Sequence, residues 1–86
     1  MNQQNYSGEI ENRARMVLAR TFNLSASQAQ GQLRMGDPPQ WDSLGHMQLI
    51  MELEREFGIT FPTYALAELI DVGALVGAIA QQQQLT

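Results

Sequence analysis

The chain contains no cysteine and no lysine, and no apolar run approaches the ~20 residues that a membrane span needs. Without cysteine there is neither a disulfide nor a protein thiolate, so any thiol used in function has to arrive on a cofactor. The same absence fits a cytoplasmic protein. Without lysine, five arginines stand against nine acidic residues, a net charge of −4. A nucleic acid would gain little from long-range attraction to such a chain and is not an expected partner. Met1-Asn2-Gln3-Gln4-Asn5 lacks the charged and apolar regions of a secretory signal. The glycosylation-type triplets Asn5-Tyr6-Ser7 and Asn23-Leu24-Ser25 therefore carry no weight.

What is present points to one small packed domain over residues 1–86, with 1–7 and 81–86 expected as frayed tails. Hydrophobic residues make up 44% of the chain and charged residues 16%, which separates it from a disordered tail. At this length roughly 60–65% of the unfolded surface is buried, enough for a single core. A monomer is expected. No alternating apolar pattern marks a strand, and the apolar spacings are helical, so the fold class is all-α.

Ile10, Ala14, Val17, Leu18 and Phe22 fall on one helical stripe, which predicts a first long helix from about Gly8 to Phe22, ended by Asn23. Asn23 to Trp41 reads as a long loop, broken by Asp37-Pro38-Pro39, with a turn of helix near Ser27 to Gln30. Leu24, Leu33 and Met35 are its candidate anchors. A second long helix runs from Ser43 to Phe57, capped by Asp42, closed by Gly58 and buried along Leu49, Ile50, Leu53 and Phe57. Thr63 is placed as the cap of a short third helix reaching about Ile70. Asp71 caps a fourth that buries Val72, Leu75, Val76 and Ile79. Gly73 and Gly77 are expected to allow close helix packing, the apolar stretch being too short for membrane dimerisation. The six strongest core candidates are Leu18, Leu49, Leu53, Phe57, Leu75 and Ile79.

The site candidate is Asp42-Ser43-Leu44, at the mouth of the second long helix. Serine and aspartate are ordinary helix-start residues, so alone the triplet says little. Its physical setting suits an anion on Ser43, because unpaired amides and the positive end of the helix dipole meet there. His46 has no ligand partner at i+4; no metal site is expected, and the ring is placed at the surface or a flank. Trp41 is expected to pack on the helix start. No Ser-His-Asp set or Gly-x-Ser-x-Gly elbow is present, and no catalytic residue is assigned. Met47 and Met51 lie off the buried stripe and are candidates for exposed, soft contact residues.

The run from Trp41-Asp42-Ser43-Leu44 through Glu54-Arg55-Glu56-Phe57-Gly58-Ile59 resembles the acyl carrier protein family. Phe61-Pro62, the short helix after it and the apolar helix from Val72 to Ile79 extend the resemblance to roughly residues 8–80. It implies a four-helix bundle of three longer helices and one short third helix, and a carrier in place of an enzyme. Ser43 would hold 4′-phosphopantetheine, transferred from coenzyme A by a Mg²⁺-dependent phosphopantetheinyl transferase. Asp42 and Leu44 would flank the attachment point, and Met47, Met51 and Glu54 would serve partner recognition. Acyl groups would travel as thioesters between an acyl-loading ligase or transferase and downstream synthases of fatty-acid, polyketide or related biosynthesis. Gly45, Gln48 and Arg55 depart from the acidic helix that fatty-acid carriers present. An aminoacyl or specialised-pathway carrier, and a helical interaction module using Ser43 only as a cap, are the alternatives.

Overall fold

A computed structural model describes residues 3–85, with side chains described from Gly8 to Gln84. Among the described residues four α-helices form: α1 (Gln3–Phe22), α2 (Ala26–Ala29), α3 (Ser43–Phe57) and α4 (Val72–Leu85). A 3-10 turn, Thr63–Glu68, lies between α3 and α4. The described residues form no strand beyond the isolated bridges Arg34–Asp37 and Arg34–Asp71. The all-α bundle is therefore present, and the single turn α2 falls where the long loop was expected to hold a turn of helix. α1 packs against both α3 and α4 and is the central helix.

The expected stripes meet in one core. Ile10, Ala14, Val17, Leu18 and Phe22 of α1 face Leu49, Ile50, Leu53 and Phe57 of α3 and Val72, Leu75 and Ile79 of α4, all buried. All six of the strongest core candidates are among them, while Val76 packs on the edge of the cluster, half-buried. Leu33 joins this cluster, and Leu24 and Met35 pack on it partly buried, so the long loop is held by the anchors its sequence offers. Polar bonds fix its course as well. Met35 N donates to Ile70 O at 2.9 Å, Arg15 reaches the carbonyls of Ala29 and Gly31 at 2.8 and 2.7 Å, and Gln40 Nε2 reaches Phe22 O at 3.0 Å.

Helix ends obey local chemistry. Asn23 takes the left-handed conformation (φ 57°) after α1, and Leu24 N donates back to Ala19 O at 2.9 Å. Gly58 does the same after α3 (φ 66°), with Ile59 N reaching Glu54 O at 3.2 Å. Other boundaries differ from the sequence expectation. α1 starts at Gln3, ahead of Gly8, because Gln3 to Ser7 contain neither glycine nor proline to stop a helix already nucleated by its packed stripe. Met1 and Asn2 lie outside the described residues, as does Thr86. At the other end the glutamine run prolongs α4 to Leu85. The turn α2 is capped by Ser25, whose hydroxyl accepts from Gln28 N while Gln28 Oε1 accepts from Ser25 N, a reciprocal box that starts the helix before Ser27.

Two expectations are corrected. Thr63 is the first residue of the 3-10 turn, preceded by Pro62, and no side chain caps it. The segment is six residues long, too short to repay α-helix nucleation, and closes through i to i+3 bonds such as Ala65 N to Pro62 O at 3.0 Å. Gly73 and Gly77 make no close packing. Both are exposed, and a Cβ on Gly77 would meet nothing within 4 Å. Their register is opposite to the buried Val72, Leu75 and Ile79 stripe, so the Gly-x-x-x-Gly spacing falls on the solvent side.

Candidate functional site

The start of α3 is held from both sides. Asp42 is extended (φ −105°, ψ −166°), and its Oδ1 accepts from Gly45 N at 2.8 Å while its carbonyl accepts from His46 N at 2.7 Å. Gly45 is needed there: a Cβ would fall onto the Gln40 carbonyl oxygen and lie 3.0 Å from the Phe22 ring. The loop thus runs directly against the first turn of the helix. Its last residue, Trp41, is fully buried, with ring centroids of Phe22 and His46 each 6.1 Å away. Trp41 is a packed anchor, as expected.

His46 is the largest departure from the sequence reading. In place of a surface or flank position it is 6% exposed, bonded at both ring nitrogens. Trp41 Nε1 donates to Nδ1 at 2.9 Å, and because an indole N–H can only donate, the imidazole proton sits on Nε2. Nε2–H then donates to Leu66 O at 2.9 Å, tying α3 to the 3-10 turn. The signal was in the spacing: His46 precedes Leu49, Ile50 and Leu53 by 3, 4 and 7 residues, which puts it on the buried stripe.

Against this fixed frame Ser43 is exposed, and its hydroxyl has no hydrogen-bond partner among the described residues. Asp42 uses the amide of Gly45, so the amides of Ser43 and Leu44 remain free at the positive end of α3. That set fits a phosphodiester on the Ser43 oxygen: an open hydroxyl, two unpaired amides and a helix N-terminus. His46 has both nitrogens committed elsewhere and does not address the hydroxyl as a base. Among the described residues no cluster of three or more His, Asp or Glu could hold a metal ion.

Leu44, Met47 and Met51 are exposed on the outer face of α3, at 71%, 48% and 56%. Glu54, three residues after Met51, lies half-buried at the edge of that face. Its Oε2 accepts from Phe61 N at 2.9 Å, pinning the chain that leads to the 3-10 turn. Glu52 and Glu56 turn toward α1, where Arg20 approaches them at 3.8 and 3.9 Å and Arg13 meets Glu56 at 3.3 Å. Arg13 also lies 4.3 Å over the Phe57 ring.

The bundle packs the start of α3 against the preceding loop and leaves its first hydroxyl and two amides open. Residues 41–79 match the family model described as the phosphopantetheine attachment site, a segment that holds all of α3, the 3-10 turn and the first part of α4. The match supports a carrier of the acyl carrier protein type, and the family it describes carries 4′-phosphopantetheine covalently. No curated protein matches the chain in sequence. No described helix is long and apolar enough to cross a membrane.

Proposed function

We propose that this protein carries acyl groups on a 4′-phosphopantetheine arm attached to Ser43 Oγ, for partner enzymes of fatty-acid, polyketide or related biosynthesis. One observation carries the assignment of the residue: Ser43 is the only serine between residues 41 and 79, and it stands exposed beside two free amides. In the loading step Ser43 Oγ bonds to phosphorus as the pyrophosphate bond of coenzyme A breaks. 3′,5′-ADP leaves, and the hydroxyl proton passes to a base on the transferase. The arm supplies the thiol that the chain lacks. Asp42 holds the helix start through Gly45, Leu44 meets the modifying enzyme, and Met47 and Met51 meet partners. Dependence on coenzyme A suits a cytoplasmic protein, acting as a monomer that meets its enzymes in turn.

The test is the intact mass of the protein before and after incubation with coenzyme A, Mg²⁺ and a broad-specificity phosphopantetheinyl transferase. One phosphopantetheinyl group is expected on the natural chain and none on Ser43→Ala, whose stability should stay within about 0.5 kcal/mol of the parent. Loading of the folded Ser43→Ala variant, or no loading of the natural chain by several transferases, would overturn the proposal.

A further inference from the structure

Trp41, His46 and Leu66 form one polar chain across the head of the bundle. The indole Nε1–H donates to His46 Nδ1 at 2.9 Å, and the imidazole Nε2–H donates on to the Leu66 carbonyl at 2.9 Å. Trp41 also stacks with Phe22 and with His46, each ring centroid 6.1 Å away, so rings from the end of α1, the loop and α3 wall off this end. All three rings are buried.

That wall stands between Ser43 and the core. His46 follows Ser43 by three residues and precedes Leu49, Ile50 and Leu53 on the buried stripe, so a path inward along α3 from the Ser43 hydroxyl meets the imidazole first. Leu49 and Leu53 behind it are fully buried. The segment that carries the 3-10 turn is tied to α3 at His46 and again at Glu54, whose Oε2 accepts from Phe61 N at 2.9 Å.

An alkyl chain entering between α3 and the turn would part the bonds of His46 and leave the Trp41 indole N–H without its acceptor. A methylene chain brings neither donor nor acceptor to replace them. A short chain buries too little apolar surface to offset that loss, and a longer one needs room that packed leucines already occupy.

Resting on Ser43 as the attachment point, we infer that the thioester cargo of this carrier stays in water outside the bundle, barred from the core by the Trp41–His46–Leu66 chain. Such a carrier suits a short or polar acyl group, for example an acetyl, hydroxyacyl or aminoacyl unit. A long alkyl chain would keep its apolar surface exposed through every transfer. Trp41 and His46 set this preference by closing the seam and take no part in the chemistry.

The test loads the full chain from acetyl-CoA and from octanoyl-CoA with a broad-specificity phosphopantetheinyl transferase, and intact mass verifies each product. Cleavage of the thioester by hydroxylamine is then followed beside the same free acyl-CoA. On the natural chain both thioesters are expected to react within about twofold of their free counterparts, as groups in water do. The thermal midpoints of the two forms should agree within about 2 °C, whereas burial of the octanoyl chain would raise the second by several degrees. His46→Ala removes the ring and leaves space beneath Ser43, and it should slow cleavage of the octanoyl thioester about fivefold or more, with the acetyl thioester unchanged. Should this variant lose its helical circular dichroism, Trp41→Phe keeps a ring in the stack, removes the indole N–H and is expected to act in the same direction. An octanoyl thioester protected several-fold on the natural chain, or a midpoint that climbs with chain length, would overturn the inference while leaving Ser43 loaded. A folded variant that protects the octanoyl group no better than the parent would overturn it too, because the polar chain would then not be the bar. Absence of any acyl-phosphopantetheine mass on the natural chain from either acyl-CoA would instead remove the attachment reading.

Discussion

Asp42 and Asp71 cap α3 and α4 alike: each gives its Oδ1 to the amide three residues on, Gly45 at 2.8 Å and Ala74 at 2.7 Å. Beyond the caps the two helix starts diverge. Val72, the first residue of α4, is buried, and its amide is spent on Leu33 O at 3.3 Å, while Arg34 bridges to Asp71 along the backbone. Ser43, the first residue of α3, is exposed, and its amide and that of Leu44 are free. The same cap therefore closes the long loop onto the core at one helix and leaves two amides and a hydroxyl open at the other. A cap fixes the geometry of a helix start; the two starts then differ in whether the neighbouring chain consumes the first amide after the cap.

Removing the frame on one side alone should separate the two starts most. Trp41→Ala takes away a fully buried ring behind α3 and should cost about 3–5 kcal/mol in urea unfolding. An unchanged midpoint would mean that the start of α3 does not depend on this anchor. A smaller contrast comes from glycines in the first turns. Gly45→Ala forces a methyl into the Gln40 carbonyl and should destabilise by about 1–3 kcal/mol, with slower loading at Ser43. Gly73→Ala meets only Asp71 Oδ1 at 3.6 Å and should stabilise by about 0.5–1 kcal/mol. Equal effects at the two glycines would erase the distinction between a start pressed by its loop and one that is not. The finest comparison uses the caps themselves. Asp42→Ala and Asp71→Ala should each cost about 0.5–2 kcal/mol, yet only the first should slow phosphopantetheine loading, measured by mass under conditions where both variants are folded.

Much of the fold could be read from particular residues. The spacing of Ile10, Ala14, Val17, Leu18 and Phe22, and of Leu49, Ile50, Leu53 and Phe57, located the two principal helices, because a helix shows its buried side in the order of its own residues. Asp42, Gly58, Asn23 and Asp71 marked their ends for the same local reason. Ser43 was legible as an open helix start, and Met47 and Met51 as exposed. The structure added what a list of residue types leaves ambiguous. His46 looked like an isolated surface group because a lone histidine has no obvious partner in sequence; its partners are the indole of Trp41 and the carbonyl of Leu66. Glu54 has a structural partner that the order of residues does not show, because the chain folds back after Gly58 and brings the Phe61 amide to its carboxylate. Gly73 and Gly77 had a packing spacing, but they fell on the face that α4 turns to water.

The sequence by itself determined the helices, their caps and the single serine at the head of α3, since each depends on groups within about four residues of one another. Tertiary structure alone decided the electrostatic character of the face around that serine. Arg13 and Glu56 are 43 residues apart, and His46 and Leu66 are 20. Such pairs exist only once α1 docks against α3 and the 3-10 turn closes over it. Docking pairs Glu52 and Glu56 of α3 with arginines at the partly exposed seam with α1 and brings Glu54 to the Phe61 amide, while Leu44, Met47 and Met51 stay exposed.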